Sequence, residues 1–214
     1  VLGMLPNGQI HVIYGYRSLH PHAHVQEARL VLGIIAKFQC SHLVHDYTGA
    51  GSVRETVIVQ AGFPLARIVP IAYTGPARGN ILHFKPATEI HPRDHWTCDK
   101  ARSLNMTCQL IKSRGLLFFR YDYKGSANPG LLNDFLALIE DKKDSRTGRD
   151  VYTIMRDPNR PDDFAQATNI GVMALCQMAG KWPDLADYEN IQISEEALQA
   201  TNPPGMFSWD DFPN

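Results

Sequence analysis

The residues in this chain best suited to chemistry are three aspartates in two contexts. In "LVHDYTGAGSVRETVIVQAGF" an apolar run ends in one carboxylate, Asp46, and a glycine-bearing turn follows. In "NRPDDFAQATNIGVMAL" two adjacent carboxylates, Asp162 and Asp163, open a helical pattern directly after Pro161. Each has an ordinary explanation. Aspartate accepts hydrogen bonds from nearby backbone N–H groups in turns. At a helix start it caps free N–H groups and meets the positive end of the dipole. One carboxylate satisfies that need, and a second beside it is costly unless a cation neutralises the pair. Helical spacing puts Asp163 on the stripe of Ala167, Ile170 and Ala174 and so aims it at the sheet. A carboxylate aimed at a strand end that bears another carboxylate makes a hard-oxygen pocket suited to Mg²⁺ or Mn²⁺. Two such ions about 3.5–4 Å apart activate water and stabilise the leaving oxygen in phosphodiester cleavage.

The elements that must position these acids follow from periodicity and punctuation. Residues 1–17 read as a hairpin around Pro6-Asn7-Gly8. Val25, Ala28, Leu32 and Ile35 predict a helix over 24–38. A short strand over 42–46 precedes a helix over 52–61 that Gly62 and Pro64 stop. "ARIVPIAY" reads as a strand whose Pro70 argues for an edge or a bend. Residues 73–95 read as a long loop with one short strand at 82–85. A helix over 99–113 turns Ala101, Leu104, Cys108 and Ile111 inward, and "LLFFR" is a strand. Residues 129–140 read as a helix opened by Pro129. "ALIEDKKDSRTGRDVYTIM" reads as two strands about a charged turn, and 162–178 as the last helix. Strands alternating with helices after a hairpin predict an α/β fold, a mixed sheet with helices on both faces.

Composition fits a soluble globular chain, 44% hydrophobic and 20% charged over 214 residues. No apolar run nears the roughly 20 residues that span a bilayer, so no membrane partner is expected. The opening hairpin argues against a signal peptide. Four scattered cysteines without a CxxC pair suggest free thiols in a reducing compartment. All 21 Lys and Arg lie within residues 1–181, against 15 of the 22 acids. That stretch therefore carries +6, while residues 182–214 carry −7. A basic body suits a polyanion. The acidic tail is expected to be partly disordered. No GxxxxGK[ST] phosphate loop is present, so these residues offer no ATPase site.

Over residues 1–180 the order of "LPNGQIHVIYG", "HDYTGAG", "LLFFRYD", "DKKDSRTGRDVYTIM" and "PDDFAQATNIGVMAL" resembles the C-terminal nuclease domain of the large terminase subunit of tailed bacteriophages. The resemblance implies a ribonuclease H-like fold over residues 1–181 and a two-metal endonuclease that cuts concatemeric viral double-stranded DNA. It implies Mg²⁺ or Mn²⁺ as cofactor, with Asp46 and Asp163 as metal ligands and catalytic acids, and Asp162 assisting or capping. It further implies an ATPase domain, a small terminase subunit and a portal as partners, at the procapsid in the host cytoplasm. One departure stands out. The family's first acid lies on a strand ahead of the hairpin, and the only acid here before Asp46 is Glu27, on a predicted helix. The first strand, its ligand and the ATPase are therefore expected to be absent from these residues. A catalytically inactive DNA-binding or docking module of the same fold is one alternative. A junction-resolving nuclease is another.

Two basic tracks are candidates for seating DNA: Lys142, Lys143, Arg146 and Arg149 on the charged hairpin, and Lys100, Arg102, Lys112 and Arg114 along the helix before "LLFF". No stacking aromatics interleave with them, which predicts sequence-tolerant binding. His20, His22 and His24 lack the companions of a tetrahedral zinc site, and His45 reads as a surface residue beside Asp46. Ser41 and Asp46 lack a GxSxG elbow for a hydrolase triad. Asp122 reads as a loop residue after a strand.

Overall fold

The computed structural model describes residues 1–18, 23–75, 79–119, 130–144 and 150–183. Asn7 and Gly8 turn the opening hairpin: the Asn7 side chain accepts the Gln9 N–H, and Gly8 takes a φ of 88° that a side chain would resist. Strands β1 (Leu2–Met4) and β2 (Ile10–Val12) pair antiparallel, and β2 pairs in parallel with β7 (Leu116–Phe118).

A second sheet has four strands, in the order β3 (Leu43–Asp46), β4 (Ile68–Thr74), β6 (His95–Asp99) and β5 (Leu82–Lys85). The first three are parallel and β5 is antiparallel at the edge. The remaining strands, β8 (Leu138–Asp144) and β9 (Asp150–Arg156), form the charged hairpin.

Helices cover both faces of the four-stranded sheet, because alternate residues along each strand face opposite ways. Leu43 and Ile68 pack with the apolar stripes of α1 (His24–Phe38) and α2 (Gly51–Gln60). Val44, Val69, Ile71 and Tyr73 join the larger core with α4 (Asp163–Ala179) and α3 (Lys100–Lys112). Mixed sheets flanked by helices are an α/β arrangement.

Several expectations need correction. Residues 95–99, where the loop over 73–95 was expected to end and the helix over 99–113 to begin, form the interior strand β6. That makes β4 interior despite Pro70. The proline is tolerated because β6 joins β4 only from Ile71 onward, so β4 is paired on one side at that point. The helix expected over 129–140 is a 3-10 stretch, Leu131–Ala137, that runs straight into β8. On α3 Leu104 is buried and Ile111 packs against the core as expected, but the other buried positions are Ser103, Thr107 and Leu110 rather than Ala101 and Cys108, so small polar residues occupy interior positions.

Among the described residues the two larger sheets do not pair with each other: β1 and β3 are edge strands, and residues of both line a groove of about 460 Å³. Its walls include Leu2 of β1, Val44 of β3, Ile35 of α1 and Gly171 of α4.

Candidate active site

Asp46 is the last residue of β3 and is exposed. Its Oδ1 accepts both the Thr48 N–H (2.9 Å) and the Thr48 hydroxyl (2.7 Å), the bonding of an Asx turn. Gly49 makes the turn possible with a φ of 56°. Gly51 lets α2 start there, since a Cβ on it would lie 2.1 Å from the Asp46 carbonyl oxygen. The turn-forming role is therefore real, but it occupies one carboxylate oxygen only.

At the other end of the sequence the two aspartates exchange the roles that spacing gave them. Asp163 is exposed, as is Ala167, whereas Asp162 is only 6% exposed. The reason is the first turn of α4, where the buried face runs through Phe164, Ala165 and Thr168, so the carboxylate directed at the sheet belongs to Asp162. Nor does the Asp162 side chain cap the helix. The Phe164 N–H donates instead to Asp134 Oδ2 (2.8 Å), a residue 1% exposed in the 3-10 stretch and paired with Arg17. Relieved of capping, Asp162 accepts from Gln166 Nε2 (2.9 Å) and lies 3.5 Å from Arg156 Nη1.

Tyr73 ties β4 to the first turns of α4. It sits on β4 beside β3, on the face that α4 covers. Asn169 Nδ2 donates to its oxygen (2.8 Å), and its hydroxyl donates to the Gln166 carbonyl (3.3 Å). Burial pushes the Tyr73 hydroxyl above its ordinary range; the Asn169 hydrogen bond opposes this, and Cys98, Asp46 and Asp162 add to it. Gln166 thus links this hydroxyl to Asp162, and Asp46 ends the neighbouring strand, at the carboxyl ends of parallel strands, where ligand sites collect in open α/β sheets. Asn169, fully buried, also donates to Ser103 Oγ (2.9 Å) and accepts from Thr107 Oγ1 (2.8 Å), which locks α4 against α3 beneath the site. Lys100 stands at the rim with its ammonium 5.4 Å from the Tyr73 ring centroid, a cation–π contact.

A scan against protein-family models, a search of curated proteins and a search of solved structures each found no match.

Among the described residues no group of three or more His, Cys, Asp or Glu side chains gathers into a metal cluster. The side-chain oxygens offered by the end of β3 and the start of α4 are those of Asp46, Asp162 and Gln166, whose Oε1 is buried without a hydrogen-bond partner. Mg²⁺ is commonly held by one or two carboxylates, with water and substrate phosphate completing its shell. The residue types fit that habit, and at Asp162 an ion would take the place of Arg156, whose Nη1 lies 3.5 Å from Oδ1.

The basic residues divide. Lys100 opens α3 and Lys112 closes it, roughly 18 Å apart at 1.5 Å per residue. Arg102 donates to the Gly79 carbonyl (2.7 Å), and Arg114 lies beyond the helix with a φ of 61°. Lys142 and Lys143 lie on β8, while Arg146, Arg149, Asp122, His20 and His22 lie outside the described residues, as does most of the acidic tail.

Sequence reasoning missed Tyr73, Gln166, Asn169 and Asp134. Tyr73 follows Val69 and Ile71 at strand spacing and was legible once β4 was taken as interior. Gln166 stands four residues after Asp162, one helical turn away. Nothing local marks Asp134, whose partners are brought to it by the fold.

Proposed function

We propose that this chain is the endonuclease domain of a phage DNA-packaging terminase, a metal-dependent hydrolase with a ribonuclease H-like sheet that cuts double-stranded concatemeric viral DNA. The observation that carries this reading is that Asp46 ends the parallel strand β3 while buried Asp162 opens α4, the helix that packs on that strand. In this reading Asp46 and Asp162 hold Mg²⁺ or Mn²⁺, Gln166 orients Asp162, and exposed Asp163 adds charge at the mouth of the site. The ion supplies Lewis acidity toward a phosphodiester and lowers the pKa of bound water. Tyr73 stays a neutral hydroxyl and keeps its bonds to α4. Lys100 gives a scissile phosphate a cation beside the acids, and Lys112, Arg114 and the β8–β9 hairpin seat flanking phosphates without reading sequence.

The groove between β1 and β3 supports the same reading. One more strand, bearing the family's first acid, would satisfy both open edges and unite the two sheets. The ATPase domain, small subunit and portal are the partners this assignment brings, at the procapsid in the host cytoplasm.

Plasmid digestion with Mn²⁺ tests it, on this chain and on one extended upstream by about 30 residues, the length of a strand with its turn and margin. Cutting by the longer chain, abolished by Asp46→Asn and by Asp162→Asn, is the expected result. A non-catalytic DNA-binding or docking module is the second reading, favoured by the lack of a three-ligand cluster among the described residues. It predicts DNA binding by both chains and cutting by neither, an outcome that would overturn the nuclease.

A further inference from the structure

Strand alternation puts His45 on the face of β3 opposite the Asp46 carboxylate, against α2. There its Nε2 lies 2.9 Å from Glu55 Oε2 and its Nδ1 lies 3.0 Å from the Asp46 carbonyl oxygen. Glu55 is only 8% exposed, in the middle of α2, where a carboxylate needs partners to remain charged. Arg93 supplies the second: its Nε lies 3.1 Å from Glu55 Oε1, an ion pair away from hydrogen-bond alignment. Arg93 Nη2 donates to the Ile68 carbonyl (2.9 Å) and the Leu65 carbonyl (3.3 Å), which fixes the guanidinium to the start of β4.

We infer that Glu55 and His45, backed by Arg93, are positioning residues for Asp46. The inference rests on Asp46 being a metal ligand. His45 holds the carbonyl of Asp46, the Tyr47 N–H donates to the Ile71 carbonyl (2.8 Å), and Thr48 holds Oδ1. The peptide group that follows Asp46 and one of its carboxylate oxygens are thereby fixed. A free carboxylate would spend binding energy on adopting one direction, whereas this one is already directed. Hydrogen-bonded partners behind metal-ligating side chains are typically worth about 10- to 100-fold in metal affinity.

The test is Mn²⁺ binding followed by electron paramagnetic resonance, with thermal unfolding of each variant alongside. Glu55→Gln and His45→Ala should weaken Mn²⁺ about 10- to 100-fold while the protein stays folded. His45→Asn, whose amide N–H takes the place of Nδ1 beside the Asp46 carbonyl, should recover most of that loss. Rescue of this kind is not expected from a residue that only fills space. Wild-type Mn²⁺ affinity in all three variants, with binding lost in Asp46→Asn, would overturn the positioning role and leave Asp46 a ligand. Wild-type affinity in Asp46→Asn would overturn both assignments. Loss in step with the unfolded fraction would also overturn the positioning role.

Discussion

Asp134 shows at the scale of one residue how a role read from local sequence can belong to a distant side chain. It caps α4 and takes the charge of Arg17 from inside the protein, with one carboxylate oxygen and Arg17 Nε left buried without hydrogen bonds. Removing one member of a buried ion pair costs about 3–5 kcal/mol, and a lost cap adds about 1 kcal/mol. Arg17 is one-fifth exposed, so water recovers part of this. Asp134→Ala should therefore destabilise by about 3 kcal/mol in urea unfolding, and Asp134→Asn, which keeps an acceptor for Phe164, by less. Cys98 and Cys176 are fully buried, and burial pushes their thiols up to about 11 and about 12. At pH 8 a thiol reagent should label half-buried Cys40 well before either.

At the scale of elements, two helical glycines separate a backbone constraint from a side-chain one. Alanine generally favours a helix interior over glycine by about 1 kcal/mol. At Gly171 an added Cβ meets the flexible tip of Leu2 at 2.9 Å, so Gly171→Ala should change stability by no more than about 1 kcal/mol in either direction. At Gly51 the obstacle is the Asp46 backbone oxygen at 2.1 Å, which cannot yield without moving the strand end. Gly51→Ala should cost about 1–3 kcal/mol and weaken Mn²⁺ binding, measured by paired unfolding and metal titrations.

For the whole molecule, alkaline pH is the predicted weakness. Burial raises Tyr14 to about 12 and Tyr73 higher still, against 10.0 ordinarily, as it raises the two buried thiols above 9.0. The native state then binds more protons than the unfolded chain above roughly pH 9, so stability falls as pH rises through that range. It is fully present below the unfolded values and fades toward the folded ones. Urea midpoints between pH 8 and 11 should decline, and Tyr73→Phe should flatten the decline above pH 10. The +6 body gives a second prediction: duplex binding should be indifferent to sequence and lose affinity linearly in log K against log salt. Fluorescence anisotropy at several salt concentrations checks it.

The hairpin at Asn7-Gly8, the limits of α1, the strand at 82–85, the charged hairpin and the acid at the end of β3 were all legible in the sequence. Each depends on turn chemistry or on a period repeated over a few neighbours, and both are local. Tertiary structure alone decided which carboxylate of the Asp162–Asp163 pair turns inward. A helix face is set by what packs on it, and Phe164 and Ala165, not Ala167, meet the core. It also decided that β6 exists and makes β4 interior, that Asp134 relieves Asp162 of capping, and that Tyr73 hydrogen-bonds to Gln166 and Asn169 of α4. Those facts arise from contacts between residues far apart in the chain, which no window of neighbours contains.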